Sequence, residues 1–499
     1  MSAALGRFPL PLQTRYTAGV LAVKRFFGPE YRQRLVALIV AGAFFMELLD
    51  GSVIATALPQ MALSFHDNAV NLSIGMSAYL LTLAIFIPSS GWMADRFGSK
   101  TIFLSAIALF TAASVLCGLS NNLWEFTAAR VVQGVGGAMM VPVGRLVVLR
   151  GAEKRDLVNI MQFVSTPGLI APVLGPPVGG FITTFSSWRW IFFLNIPLGL
   201  IALGLVAAFM VNHKAVAHRA FDTPGFLLSG AGLASLLFGL DQLGRPSIDP
   251  AYTVGLIGGG TVLCWFAFVH LRRTAQPLVD LSLFRIPTFA LTTLLAGIGF
   301  RVVIGTTPFL WPLLFQVGFG MTAFASGSLM IACAAGDLGM KFFTTRVLRR
   351  FGFRQTLIVN GIFVALAVLA CAAFSVATPV AVIAAVLFII GLFRSVQFGA
   401  FNALTYVDVP PQKMSSASSL ASTIQQMSFG LGVAFAALAL HLAAQWNGNG
   451  APGFTVADFR IAFAATAALA VAGSFAFTRL DPNAGVEASG HRAGATALA

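Results

Sequence analysis

Fourteen runs of about 20 predominantly apolar residues follow one another along this chain, and they constrain its fold more than any other feature. They cover approximately 35–58, 75–94, 102–120, 124–146, 158–184, 190–211, 224–243, 252–270, 288–316, 322–345, 355–375, 379–407, 416–442 and 460–479. At 1.5 Å of rise per helical residue, about 20 such residues cross the roughly 30 Å hydrocarbon core of a bilayer. Backbone polar groups surrounded by lipid must bond within their own segment, so runs of this length read as membrane-spanning helices. An all-α integral membrane fold with fourteen transmembrane helices is expected. Composition agrees, since 57% of the 499 residues are hydrophobic and only 10% are charged. A soluble domain carries about a quarter charged residues.

The formal net charge of +14 could in principle serve nucleic acid or an anionic membrane surface. Its distribution decides between them. Basic residues stay on the cytoplasmic side of membrane proteins. With both termini inside, 24 of the 31 Lys and Arg residues fall in cytoplasmic segments, and only Arg189, Arg245 and Arg460 fall outside. Arg130, Arg301, Lys341 and Arg394 lie within spans. The charge is therefore read as a topology signal, and no nucleic-acid partner is expected. Residues 1–34 are basic and lack an apolar core followed by a small-residue cleavage site, so they read as a cytoplasmic tail, with "YTAGVLAVKRFF" as a surface-lying segment. Residues 481–499 read as a second cytoplasmic tail. The four cysteines, Cys117, Cys264, Cys333 and Cys371, sit inside apolar runs without C-x-x-C or metal-ligand spacing, so no metal or cofactor is expected. The chain has no H-E-x-x-H and no G-x-x-x-x-G-K-[ST], which argues against a membrane enzyme and against ATP as an energy source.

Charges inside the spans carry the functional signal. Glu47 and Asp50 are three residues apart and share a helix face. An ionised carboxylate at a span centre costs on the order of 2.5–3.5 kcal/mol, so two within one turn need water, partners or protons. Asp50 lies ~22 Å from the inner end of the first span and Arg130 ~9 Å from the outer end of the fourth, which brings them to similar depth. Two readings stand: a static ion pair that fixes packing, or a site where one carboxylate takes a proton and one attracts a cation. Arg301 in the ninth span has no charged sequence neighbour and is expected to meet an acid across a cavity. Asp337 and Lys341 are four apart in the tenth span, where an intrahelical pair competes with a second coupling site.

Between the second and third spans stands "GWMADRFGSK", residues 91–100. Arg96 and Lys100 satisfy the positive-inside pattern, but Asp95 adds nothing to it. Asp95 is therefore expected to latch onto a neighbouring helix, with Gly91 and Gly98 permitting a tight turn. "RFGSK" (96–100) is echoed by "RFGFR" (350–354), and "RVVQG" (130–134) by "RSVQF" (394–398), in the same orientation. Parallel repeats of six spans each are implied, with the spans between 224 and 270 inserted between them. Arg349 stands where Asp95 stood, so the latch is expected on one repeat only. In the fifth span Ala171, Gly175 and Gly179 recur every four residues and allow close helix approach, while Pro167, Pro172, Pro176 and Pro177 remove backbone donors and bend the helix.

On these residues the chain resembles the major facilitator superfamily, and specifically its fourteen-span drug:proton antiporter branch. The loop motif G-x-x-x-D-R-x-G-[RK]-[RK] is met by Gly91, Asp95, Arg96, Gly98 and Lys100, with Thr101 departing at the last place. The span-four motif R-x-x-Q-G-x-G-[GA] is met by Arg130, Gln133, Gly134, Gly136 and Gly137. The span-five antiporter motif is met by Ala171, Gly175, Pro176, Gly179 and Gly180. A first-span L-D-x-T…A-L-P pattern is met by Leu49, Asp50 and Ala57-Leu58-Pro59, with Ser52 in place of Thr and Ala55 where Asn is usual.

The resemblance implies two pseudo-symmetric six-helix bundles, at 35–211 and 288–480, joined by a two-helix insert with its flanking loops at 212–287. It implies a proton-driven exporter of hydrophobic or cationic compounds in the cell (inner) membrane, working by alternating access. Glu47, Asp50, Arg130, Gln133, Arg301 and Asp337 are the expected coupling and substrate residues, the 91–100 loop the cytoplasmic gate, and span five a seal. With 46 Phe, a cavity of aromatic walls and an acid would suit lipophilic cations. A transporter of one metabolite, sugar, amino acid or siderophore is the alternative, because a fold does not fix its substrate. A monomer is expected, with a periplasmic adaptor and outer-membrane channel left open as partners.

Overall fold

The computed structural model describes residues 29–66, 69–152, 156–214, 220–242, 250–448 and 454–491. The "YTAGVLAVKRFF" segment lies outside them. The described residues are helical and connected by short turns: α1 (Pro29–Phe65), α2 (Ala69–Phe86), α3 (Ser90–Phe97), α4 (Ser99–Leu119), α5 (Leu123–Gly151), α6 (Leu157–Phe185), α7 (Arg189–Phe193), α8 (Asn195–Phe209), α9 (Thr223–Asp241), α10 (Pro250–Arg273), α11 (Ala296–Leu313), α12 (Ala323–Met340), α13 (Thr344–Ala370), α14 (Val380–Tyr406), α15 (Met414–Trp446) and α16 (Val456–Ala476). Among the described residues, twelve helical stretches are long and apolar enough to cross a membrane, and Phe324–Met340 is a shorter apolar helix. The other expected span, the fifth, holds the 29-residue α6, which continues unbroken through its prolines. Each of the fourteen apolar runs therefore overlaps helix among the described residues, and twelve helical stretches meet the length and hydropathy needed to span.

Local chemistry sets where helices begin. Asn122 accepts the backbone N–H of Glu125 at 2.9 Å and starts α5. Thr455 and Asp458 form a reciprocal capping box on α16. Asp222 caps α9 by accepting the Gly225 N–H at 2.9 Å, and also meets His270 Nε2 at 2.8 Å and the Leu278 N–H at 3.1 Å. Burial alone would raise its carboxyl, but these hydrogen bonds outweigh it and hold Asp222 below the usual carboxylate range. The repeated R-F-G turn is built the same way twice. Gly98 between α3 and α4 has φ +100°, and Gly352 has φ +68° and divides α13 at its non-helical backbone. Only glycine takes that conformation without strain, which explains why both copies of the echo keep it.

In the first part of the chain α1 packs on α6 and α8, and α5 packs on α2 and α4. In the last part α12 packs on α14, α11 on α15 and α16, and α13 on α14 and α16. α9 and α10 pack on each other, and α9 also touches α2 and α15. Between the two groups, α6 meets α12 and α14, while α15 meets α3 and α5.

Core packing is asymmetric along the helices. Near the end carrying Arg96, Lys100 and Arg150, one apolar cluster joins residues of both groups, among them Phe44, Phe103, Leu157, Leu348, Phe401 and Leu420. Towards the other end the cores separate, one around Ile54, Phe126 and Phe192 and one around Trp311, Ile383 and Phe459. The two groups are thus joined at the basic end and part at the opposite end, where Trp124, Trp190 and Trp446 are exposed as interfacial aromatics are.

Candidate functional site

Helix α1 carries Glu47 and Asp50 into the middle of the first group. Both are buried, at 6% and 2% exposure, yet their surroundings differ. Asp50 Oδ2 accepts Arg130 Nη1 at 2.6 Å, and Oδ1 accepts Gln133 Nε2 at 3.0 Å and Asn195 Nδ2 at 2.7 Å. Gln133 and Asn195 both reach the Ser114 hydroxyl, at 2.8 and 3.1 Å, and Arg130 Nη1 also donates to Gln133 Oε1 at 2.6 Å. The guanidinium lies 4.1 Å from the centre of the Tyr79 ring. Three helices, α1, α5 and α8, therefore meet at one carboxylate, and α4 joins them through Ser114. Such a buried pair is tolerated because every strong charge has a counter-charge and hydrogen bonds. The depth argument that paired Asp50 with Arg130 agrees with this geometry.

Glu47 has no such shell. Its Oε2 is buried without a hydrogen-bond partner, and the side chain lines a cavity of about 300 Å³ between the two helix groups. Phe44, Tyr79, Phe398 and Phe429 give the cavity aromatic walls, and Arg145, Gln425 and Gln426 supply polar groups. The paired carboxylates of the sequence thus separate into one held by several hydrogen bonds and one that lines a largely apolar cavity.

Two other expectations are corrected. Arg301 does not meet an acid: its three guanidinium nitrogens are buried without a hydrogen-bond partner, and the group sits 4.6 Å from the Phe401 ring centre. Asp337 does not pair with Lys341. Its carboxylate is held by Arg394 of α14 in a buried salt bridge, while Lys341 Nζ stands 3.7 Å over the Phe163 ring of α6. Helix packing overrides sequence proximity here, because α12 and α14 approach closely enough for Ser395 Oγ to bond the Asp337 carbonyl at 2.9 Å.

At the basic end Asp95 bridges the groups. Its Oδ1 accepts Arg150 Nη2 at 2.8 Å, and its Oδ2 accepts the Ser415 hydroxyl of α15 at 2.5 Å. A Cβ at Gly91 would stand 2.8 Å from the Ser415 carbonyl, so only glycine lets α3 and α15 come this close. Arg96 is exposed, while Lys100 Nζ donates to the Ala207 carbonyl at 2.7 Å. The contact continues inward, with Ser418 Oγ on the Pro142 carbonyl at 2.7 Å and Ser419 Oγ on the Ile87 carbonyl at 2.9 Å. In the span-five motif, Ala171, Gly175 and Gly179 are buried. A Cβ at Gly175 would stand 2.2 Å from Ser52 Oγ, and Ser52 donates to the Ala171 carbonyl at 3.1 Å. This small-residue face therefore seats α6 on α1 at Ser52, two residues from Asp50. A Cβ added at Gly180 would meet no atom within 4 Å.

Sequence reasoning missed Ser114, Asn195, Tyr79 and above all Arg145. Arg145 is 5% exposed. Its Nη1 donates to Tyr406 Oη at 3.2 Å and Ser422 Oγ at 3.3 Å, and its Nη2 to Gln425 Oε1 at 3.3 Å. It lies one residue inside the inner end of the 124–146 run, where the positive-inside pattern alone accounts for an arginine, whereas α5 continues to Gly151 and holds Arg145 in the interface.

Residues 40–433 match the family described as Major Facilitator Superfamily. The MdtD protein of Salmonella heidelberg, which is named for multidrug resistance, is 39% identical over 408 residues, covering 82% of this chain and 86% of its own. Its counterpart in Salmonella typhimurium shows the same identity and coverage. Among solved structures, the human organic anion transporter MFSD10 superposes with a TM-score of 0.63 at 13% identity, covering 89% of this chain and 99% of that one. The proton:xylose symporter XylE does so with a TM-score of 0.63 at 14% identity, covering 93% and 99%. At such identities these two bear on the fold alone.

Proposed function

The chain belongs to the Major Facilitator Superfamily, and from that premise we propose that it is a proton-driven multidrug exporter of hydrophobic, often cationic compounds. The observation that carries the reading is Glu47, a buried carboxylate oxygen without a partner on an aromatic-walled cavity between the two helix groups. A lipophilic cation satisfies that oxygen and fills the apolar volume at once. The relatives named for multidrug resistance favour this reading over a carrier of one metabolite.

In this proposal 35–211 and 288–480 are the two moving bundles and 212–287 is the insert. The basic end faces the cytoplasm, as do both termini, and the protein resides in the inner membrane as a monomer. Delivery to a periplasmic adaptor and an outer-membrane channel is compatible with that placement. A molecule joined at the basic end is then open to the exterior, the state in which cargo leaves and a proton enters. The proton is taken by Asp50, which neutralises it and weakens its hold on Arg130, Gln133 and Asn195. Loss of that tie lets α1 shift against α4, α5 and α8, and carries Glu47 with it. The Asp95–Arg150–Ser415 contacts break as the bundles rock, and the cavity opens inward. The α1–α6 seat at Gly175 keeps the pathway sealed during the exchange. Arg301 and the Asp337–Arg394 pair support the second bundle.

The test uses inside-out vesicles with an acid interior. A fluorescent lipophilic cation should accumulate in an expression-dependent manner, and adding it should alkalinise the lumen. Accumulation without proton movement would sink the antiport reading. A second expectation concerns the latch. Asp95→Asn removes the charge that Arg150 and Ser415 hold while leaving the cavity untouched. Turnover should fall about tenfold with substrate affinity altered by less than about threefold, since the latch biases which side is open. Loss of affinity at normal turnover would instead move Asp95 into the binding site.

A further inference from the structure

Buried charges in the spans divide into two kinds. Asp50 with Arg130 and Asp337 with Arg394 are matched. Among the described residues Glu47, Arg145 and Arg301 have no partner of opposite charge: Glu47 Oε2 and the three Arg301 nitrogens lack hydrogen bonds, and Arg145 meets only neutral acceptors, all at 3.2–3.3 Å. Glu47 and Arg145 nevertheless line the same cavity. Their separation follows from α5. Gly137 faces Glu47, since a Cβ there would stand 3.4 Å from Glu47 Oε1, and Arg145 lies eight residues further along the helix, about 12 Å of rise. The wall between them is apolar, with Phe44, Val141, Phe398 and Phe429.

We propose that this cavity is built for amphoteric cargo: an apolar, preferably aromatic body with a protonated amine at one end, held by Glu47, and a carboxylate at the other, held by Arg145. Opposite charges in one low-dielectric cavity that do not reach each other are each poorly compensated, and a ligand bearing both complements satisfies both. A guanidinium suits a planar carboxylate because it can bond both oxygens. The bonds from Arg145 to Tyr406, Ser422 and Gln425 are long and neutral, so a carboxylate replaces them with stronger ones. Gln425 and Gln426 on the cavity wall offer amide donors beside it. A volume of about 300 Å³ is at the lower end of sites that hold drug-sized molecules. The inference rests on the exporter reading for its biological sense and deepens it by naming a cargo class.

The experiment measures binding to the purified full chain in lipid nanodiscs. Three probes share one aryl-alkyl body: an amine, the same amine with a carboxylate about 10 Å away, and a neutral alcohol. A ligand span of about 10 Å fits inside the helical rise between the two anchors. The zwitterion should bind at least about tenfold tighter than the plain amine, one decade being the scale of a single charge-assisted contact. Arg145→Gln should bring that ratio close to one, and Arg145→Lys should restore most of it. A wild-type ratio at or below one, or an unaltered ratio in Arg145→Gln, would overturn the proposal. Equal weakening of all three probes by Arg145→Gln and Arg145→Lys alike would assign Arg145 a purely structural role, also overturning it. Failure of the exporter reading registers separately, as absence of cation-driven proton movement in vesicles regardless of which probe binds best.

Discussion

Asp50→Asn is expected to abolish proton-coupled efflux, with a loss of at least about a hundredfold in the initial rate, while the protein still reaches the membrane. The amide preserves the shape of the side chain, so its oxygen can still accept from Gln133 and Asn195, which now bond Asp50 Oδ1 at 3.0 and 2.7 Å. It can neither bind nor release a proton. It also leaves Arg130 buried without a counter-charge, and breaking one side of a buried pair costs about 3–5 kcal/mol. That cost is a confounding effect, since a transporter that is merely unstable would also fail. Pairing Asp50→Asn with Arg130→Gln separates the two. The double variant should recover most of the lost thermal stability, because both charges are gone, and should remain inactive in proton-coupled transport. If the double variant transports with normal pH dependence, Asp50 and Arg130 are a packing pair and the coupling proton belongs elsewhere. Wild-type rates in the single variant would contradict the assignment more directly.

The contrast between what the residues foretold and what they hid has a physical basis. Spans are legible because crossing hydrocarbon demands length and hydropathy, and both are properties of contiguous sequence. The R-F-G turns are legible because a positive φ leaves glycine as the low-strain choice, at Gly98 as at Gly352. Asp50 and Arg130 could be brought together from depth alone, as two isolated charges in lipid have few other options. Partners that depend on which helices touch were not legible. Asp337 bonds Arg394, 57 positions away, although Lys341 is one turn along its own helix. Neutral groups such as Ser114 and Asn195 carry no charge to account for, so nothing in an apolar run marks them as members of a network. Arg145 was hidden by the positive-inside pattern: a basic residue one position from the inner end of a span is expected at the membrane surface, and only the packing of α5 on α15 buries it. Arg301 was correctly marked as anomalous and wrongly given an acid, since the sequence can show that a charge is buried but not that it is left unmatched.

Glu47→Gln is expected to separate substrates by charge. Wild-type Glu47 presents a carboxylate oxygen without a hydrogen-bond partner to the cavity. A cation entering there gains an opposing charge in a site where water offers little competition, in addition to contact with Phe44, Phe398 and Phe429. The amide keeps the volume and the apolar contacts but removes the charge. Resistance to monovalent lipophilic cations should therefore fall by about tenfold or more, the scale of one charge-assisted contact, while neutral compounds of matched hydrophobicity should stay within about twofold to threefold. Unlike Asp50→Asn, this substitution abandons no counter-ion, because Glu47 has none among the described residues, so protein levels and thermal stability should hold or rise. The measurement is a resistance panel of cations and neutral compounds on the one variant, backed by proton release from vesicles. Uniform failure with proton release lost would transfer the coupling proton from Asp50 to Glu47. Uniform retention would leave the carboxylate without a role in transport, and the aromatic cavity would then have to select its cargo by shape and apolar area alone.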